Sequence, residues 1–251
     1  MFASRQLATV ILAAGKGTRM KNPEKSKVMF ELDGKPMIQF VLELALEINS
    51  DLIIPVVGFK KQSVIEFIEE EFPNSLRKIT FANQDEQLGT GHAVMQAKDI
   101  LSSFKGDVLI LSGDVPLLKP ETVSEFLEFH YENSNVASLI SAHFDDPHGY
   151  GRVIRDINSE VTGIVEEKDA TEIQKQIKEI NSGIYLIDNK ALLEALESLS
   201  TDNAQGEYYL TDIFEYLRNK SKSVGAYPVE NVIEITGVNT IEQLAELEKH
   251  L

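Results

Sequence analysis

No cysteine occurs among the 251 residues, which excludes disulfides, thiolate metal centres and cysteine nucleophiles and gives no sign of an oxidising compartment. No apolar run is long enough to span a bilayer; Leu7–Ala14, near the start, is far too short. Met1-Phe2-Ala3-Ser4-Arg5-Gln6 carries one basic residue and no small-residue cleavage site behind a longer apolar core. No signal peptide is expected, and a cytoplasmic location fits. Positive charge is also scarce. Asp and Glu number 40 against 24 Lys and Arg, a formal net charge of -16 that argues against nucleic acid or an anionic membrane as partner. Linker-like composition, internal repeats and low-complexity tracts are absent too. With 43% hydrophobic and 25% charged residues, the chain reads as one domain or two closely packed lobes with a sizeable core.

Against that acidic background one stretch reverses sign. Lys16, Arg19, Lys21, Lys25 and Lys27 cluster with only Glu24 opposing them, and they adjoin Gly15-Lys16-Gly17 at the end of the apolar run Leu7–Ala14. A buried strand that stops at glycines set among basic and hydroxyl residues is how a chain meets a loop that wraps an anion. The commoner templates fail here. Val10 stands where a P-loop needs its first glycine, and Met20 where a dinucleotide fingerprint needs its third. What remains is Gly-x-Gly-Thr-Arg-Met, in which absent β-carbons let backbone N–H groups approach phosphate oxygens and Arg19 adds a planar set of donors. Lys21 and Lys25 read as a solvated charge run.

Periodicity supplies the frame. Leu7–Ala14, Asp51–Gly58 and Thr80–Ala82 read as strands, with Val28–Leu32 strand-like, an Asp33-Gly34 turn, a helix opened by Pro36 at its first position and running to Ile48, and a second helix over Lys60–Glu71. A helix at Ala93–Leu101, a continuous strand at Asp107–Leu111 and a helix at Pro120–Tyr131 continue the alternation. That pattern predicts an α/β fold with a mainly parallel sheet covered by helices on both faces and ligands at the carboxyl ends of the strands. After Val136–His143 the texture changes. Turn-rich Asp145–Arg152 leads into Val153–Arg155, Val161–Glu166 and Gly183–Ile187, which look antiparallel and suggest a smaller β-rich lobe across the mouth of the first. Helices are expected at Lys190–Leu199, Tyr209–Asn219 and Thr240–His250, the last capped by Thr240.

Other candidates are weaker one by one. Asp114, in Ser-Gly-Asp-Val-Pro after an apolar strand, suits a hard cation such as Mg²⁺ or a simple turn equally well. Lys27 alone would be solvent-facing, but two phosphorylated substrates repel each other by about 4 kcal/mol per unit-charge pair at 4 Å and an effective dielectric of about 20, and basic groups or a metal must offset that. Gln84, Gly89 and Thr90 offer an amide, an open backbone and a hydroxyl suited to a base edge. Tyr150, Gly151, Glu166, Asn181 and Tyr209 are hydrogen-bonding groups suited to sugar hydroxyls or an amide, or to purely structural work. His92 has no Asp or Ser partner in sequence and reads as capping or packing.

The stretches Leu12–Met20, Gln87–Ala93, Gly113–Leu117, Gly149–Arg152, Ile164–Ala170, Glu179–Gly183 and Asn203–Asp212, in this order, resemble the uridylyltransferase domain of bacterial N-acetylglucosamine-1-phosphate uridylyltransferases. The resemblance covers essentially the whole chain. It implies a Rossmann-like α/β fold, a mixed but mainly parallel sheet flanked by helices, and conversion of UTP and N-acetylglucosamine 1-phosphate to UDP-N-acetylglucosamine, a peptidoglycan precursor, and pyrophosphate, with Mg²⁺ as cofactor. Carried residue by residue, Leu12, Ala13, Ala14 and Gly15 with Gln84, Gly89 and Thr90 seat the uridine; Arg19 and Lys27 contact the triphosphate; Asp114 and Asn239 hold the metal; Gly151, Glu166 and Asn181 bind the sugar. The implied organisation is a nucleotide-binding lobe over about 1–135, a sugar-binding lobe over about 136–239 and a C-terminal helix over 240–251. Ser112 stands where many relatives have an aromatic, and Thr240 where an amide or acid is common. No hexapeptide-repeat β-helix is present, so acetyl transfer and the trimer contacts of bifunctional relatives are expected to be absent. Other sugar 1-phosphates, other triphosphates and a non-catalytic nucleotide-sugar-binding module are the alternatives, and the sequence does not fix the oligomeric state.

Overall fold

The computed structural model describes residues 5–251; Met1–Ser4, on which the reading of the leader partly rests, lie outside them. The first half runs β1 (Gln6–Ala13), 3-10 turns at Thr18–Met20 and Lys27–Met29, β2 (Glu31–Leu32), β3 (Lys35–Pro36), α1 (Met37–Glu47), β4 (Leu52–Val57), α2 (Lys61–Glu71), β5 (Ala82–Asn83), α3 (Thr90–Met95), α4 (Lys98–Leu101), β6 (Gly106–Ser112) and α5 (Pro120–Glu132). The second half runs β7 (Ala137–His143), β8 (Arg152–Arg155), β9 (Val161–Val165), β10 (Glu179–Asp188), α6 (Asn189–Leu196), α7 (Asp212–Asn219), β11 (Val224–Pro228) and α8 (Ile241–Leu247).

One sheet organises both halves, in the order β11-β7-β10-β6-β1-β4-β5. β1 pairs in parallel with β4 on one side and β6 on the other, β4 with β5, and β7 with β11, while β10 is antiparallel to both its neighbours. Along this path β10 alone is reversed, so the sheet is mixed but mainly parallel, as the alternation predicts. From β1 the chain first moves out to β4 and β5 and then returns to the other side at β6. The carboxyl ends of β1 and β6 therefore flank the point where strand order reverses, the place where such sheets bind ligands. The hairpin of β8 and β9 joins the sheet only through the Ile180–Arg152 pairing of β10 with β8.

The core forms on both faces because strand side chains alternate. On β1, Ala8 and Val10 pack on one face with Leu192, Phe214 and Leu217, whereas Leu7, Ile11 and Ala13 pack on the other with Val41, Leu42 and Phe126. Each fully buried Val, Leu, Ile or Phe side chain contributes roughly 1.5–3 kcal/mol. A third, smaller cluster joins Met20, Leu32, Met37, Val238 and Leu247, and so ties the segment after β1 to α8.

Several boundaries differ from the sequence reading for local reasons. Val28–Leu32 is a 3-10 turn followed by two strand residues. Asp33 and Gly34 take φ of 50° and 74°, which turns the hairpin back so that Pro36 faces Glu31. Pro36 therefore ends β3 in extended backbone and caps α1 instead of opening it. The segment expected as a strand at Thr80–Ala82 first touches β4 through an Ile79–Ile53 bridge, and its continuous strand is Ala82–Asn83. The helix expected over Ala93–Leu101 starts earlier, at Thr90, and breaks at Gln96–Ala97, where both N–H groups bond to carbonyls three residues back. β10 is longer than Gly183–Ile187, α7 begins at Asp212 instead of Tyr209, and β11 carried no sequence signal that was read.

Candidate active site

The loop after β1 is built for close approach. Around the position of a Gly15 β-carbon nothing lies within 4 Å, so backbone is open there to a ligand. Gly17 has φ of +59°, and a β-carbon on it would meet Lys27 Cβ at 2.6 Å. Glycine at 17 thus permits both the left-handed turn and the passage of the Lys27 stem beneath it. Ala13 packs in the core and, unlike Leu12, Ala14 and Gly15, does not line the cleft beside the loop.

Lys27 is the centre of the polar arrangement. Its ammonium donates to Asp114 Oδ2 and, at 2.7 Å, to Asn239 Oδ1, and Arg19 Nη2 donates to the same Asn239 oxygen at 2.8 Å. Asp114 is delivered by the turn at the end of β6, where Gly113 N–H bonds to Leu12 O at 2.9 Å and Val115 N–H to Ser112 O at 3.1 Å. Asn239 is delivered from far along the chain: Val238 N–H bonds to the carbonyl of Asp114 at 2.9 Å. The capping box of Thr240 and Gln243 fixes the start of α8 next to it.

A cleft of ≈ 290 Å³ opens beside this cluster. Leu12, Ala14, Gly15, Gln84, Gly89 and Thr90 line it together with Lys27 and Asp114. Gln84 and Thr90 are tied in place. Gln84 Nε2 donates to Gly89 O at 3.1 Å and meets His92 Nδ1 at 3.1 Å, while Thr90 Oγ1 accepts from Leu210 N–H at 3.2 Å. Gly91 N–H to Tyr208 O and Tyr208 N–H to Leu88 O, both 2.8 Å, zip this loop to the segment before α7. His92 lies between Gln84 and Gln96 and stacks on Tyr208, a packing role. Gln87 and Glu207, which lie within two of the motifs with no role expected of either, also line the cleft, and only long-range pairing brings Glu207 there.

The second set of residues also converges. Asn181 N–H bonds to Gly151 O at 2.9 Å, and a β-carbon on Gly151 would lie 3.5 Å from Glu166 Oε2. Thr211 donates to Glu166 Oε1 at 3.1 Å, and burial, opposed by that bond, pushes the Glu166 carboxyl above its ordinary range. Asn181 gives one amide hydrogen to Tyr185 Oη at 2.7 Å and accepts from Gly183 N–H at 3.1 Å, so one N–H and one lone pair remain for a ligand. A β-bulge between Asn181 and Tyr185, with Gly183 at φ of +81°, presses this part of β10 against Ser112 at the end of β6. Tyr209 donates to Asp169 and, with Glu166 and Asp212, lines a separate ≈ 610 Å³ cleft between β9 and α7. Burial, helped by Glu215 and Asp169, raises the Asp212 carboxyl to about 6.

The donor set at Asp114 and Asn239 fits a hard cation: one carboxylate oxygen and one amide oxygen converge on a single positive centre, the Lys27 ammonium. Among the described residues no group of three or more His, Asp or Glu side chains could hold a metal.

Fold and site together define an α/β protein with an open-backbone loop, clustered cations and a cleft at the switch point of a mainly parallel sheet. The chain belongs to the nucleotidyl transferase family, whose model matches residues 8–232; a divalent metal is typical of that family. It is 48% identical over 241 residues to the bifunctional protein GlmU of Geotalea daltonii, covering 96% of this chain and 51% of that one. It is 44% identical over 239 residues to the GlmU of Streptococcus uberis, covering 95% and 50%. The chain thus spans about half the length of these relatives. Among solved structures, a UDP-glucose pyrophosphorylase complexed with UDP-glucose matches with a TM-score of 0.80 at 17% identity, over 98% of each chain. A putative glucose-1-phosphate thymidylyltransferase from Bacillus anthracis matches with 0.77 at 19% identity, over 97% of this chain and 94% of the other. Both likenesses show the fold. No helix among the described residues is long and apolar enough to cross a membrane.

Proposed function

We propose that this chain is a sugar-1-phosphate uridylyltransferase that joins UTP and N-acetylglucosamine 1-phosphate into UDP-N-acetylglucosamine and releases pyrophosphate. The reading rests above all on the convergence of Lys27, Arg19, Asp114 and Asn239 beside the Gly15 loop, with Gly151, Glu166 and Asn181 forming a second polar cluster. A finished nucleotide sugar would need less positive charge than a triphosphate facing a second phosphate. The 44–48% identity to GlmU proteins supports the choice of uridine and N-acetylglucosamine.

In this reading the backbone of Leu12–Gly15 with Gln84, Gly89 and Thr90 holds the uridine, and Arg19 and Lys27 hold the triphosphate. Gly151, Glu166 and Asn181 hold the sugar, and residues 1–135 and 136–239 act as nucleotide and sugar lobes built on one continuous sheet. Asp114 and Asn239 would hold Mg²⁺, which when bound supplies charge neutralisation at the phosphates. A sugar-phosphate oxygen is already a competent nucleophile, so no side chain has to remove a proton from it. The protein's task is to align that oxygen with the α-phosphorus opposite the leaving pyrophosphate and to keep cationic groups on the leaving side.

Pyrophosphate release measured across a panel of triphosphates and sugar 1-phosphates with Mg²⁺ tests the reading. Release with UTP and N-acetylglucosamine 1-phosphate is expected. Release confined to another pair would overturn the substrates, and none with any pair would overturn the activity.

A further inference from the structure

The cation position between Asp114 and Asn239 is already held by a cation that belongs to the chain. Lys27 Nζ bonds to both oxygens, and its side chain is only 14% exposed, beside a 21% exposed Asp114. Arg19 reinforces the arrangement by donating to the same Asn239 oxygen. We propose that Lys27 has a positioning role in the nucleotide-free protein: its ammonium keeps Asp114 and Asn239 converged, so that a divalent metal enters with the triphosphate instead of ahead of it. This rests on the assignment of those two oxygens as the metal side of the site.

The argument is one of competing partners. A bare divalent ion approaching the nucleotide-free cleft has to displace the ammonium from both oxygens, give up hydration water that Mg²⁺ releases reluctantly, and stand beside two cations left without an anion. The triphosphate removes all three obstacles. Its oxygens take over the ammonium of Lys27 and the guanidinium of Arg19, and they supply the ligands that Asp114 and Asn239 alone do not. Gly17 leaves the Lys27 stem room for the exchange, because a β-carbon there would stand 2.6 Å from Lys27 Cβ. Metal and nucleotide are then coupled through one side chain, each raising the protein's affinity for the other.

Mn²⁺ titration of the nucleotide-free chain, read by electron paramagnetic resonance of the free ion, tests the proposal without turnover. Lys27→Met is expected to bind Mn²⁺ at least tenfold more tightly than the unaltered chain, with Lys27→Gln as a second variant and thermal melting as the check that each folds. Lys25→Met removes a nearby charge that pairs with Glu31, and it is expected to leave Mn²⁺ affinity within twofold. Adding Asp114→Asn to Lys27→Met is expected to abolish the gain. Equal Mn²⁺ affinity in the unaltered chain and both Lys27 variants would overturn the proposal, as would a gain matched by Lys25→Met or one that survives Asp114→Asn. The uridylyltransferase reading fails separately: it falls if no pair of substrates releases pyrophosphate, whatever the Mn²⁺ titrations show.

Discussion

Asp114 and Gly17 show how unevenly single residues reveal themselves. From its local sequence Asp114 was only an acid after a strand, level with a plain turn former, because its partners Lys27 and Asn239 are remote in sequence; the family resemblance alone singled it out as a metal ligand. Asp114→Asn keeps the shape and the turn but removes the charge, and pyrophosphate release should fall about 10²–10³-fold in kcat while the melting temperature stays near that of the parent. Gly17 was legible as a glycine but not as the residue against which the Lys27 stem passes. Gly17→Ala meets both a left-handed φ and a 2.6 Å approach to Lys27 Cβ, so urea unfolding should show a loss of about 1–3 kcal/mol together with weakened nucleotide binding. His130 went unread altogether. It is fully buried, Nδ1 meets Ser138 Oγ at 2.9 Å, and burial, only partly opposed by Asp107, lowers its pKa from 6.5 to about 4. The unfolded chain therefore takes up a proton that the folded chain refuses. Stability is full above pH 6.5 and declines as pH falls to about 4, by about 3 kcal/mol in total from this group. Urea midpoints from pH 7 to pH 4 check this, and His130→Gln should flatten that part of the profile.

At the scale of elements, strands buried on both faces were the easiest to read. β1, β4 and β6 are continuous apolar runs, and each was placed within a residue or two. Elements whose form depends on neighbours were not. The break between α3 and α4 follows from tightened bonds at Gln96 and Ala97, and β11 exists because β7 offers it a parallel edge. α8 was legible through Thr240, and its capping box matters beyond the helix because Asn239 immediately precedes it. Thr240→Ala should cost about 1 kcal/mol, seen first as faster amide hydrogen exchange at the start of α8. The loosened Asn239 should weaken Mn²⁺ binding in the presence of UTP more than it weakens UTP binding without metal.

For the whole molecule, composition and alternation gave the class of fold, and the motifs gave the residues of both clusters, but neither gave the sheet order. That β10 lies between β6 and β7 means the edge of the first half is completed by the second, and Leu88–Gly91 is likewise closed by Tyr208–Leu210. Residues 1–135 made alone should lack a cooperative urea transition, since β6 would lose β10 and the nucleotide loop its anchor. The same long-range closure explains why Glu207 reaches the cleft without any local sequence signal, and why Asn239 reaches Lys27 beside it from far along the chain. The central claim is that this closed cleft transfers a uridylyl group between two phosphates. Phosphorus NMR of the purified chain with UTP, N-acetylglucosamine 1-phosphate and Mg²⁺ tests it directly. UDP-N-acetylglucosamine and pyrophosphate should grow in equal amounts as both substrates disappear, and unchanged substrate resonances with a folded chain would contradict the account.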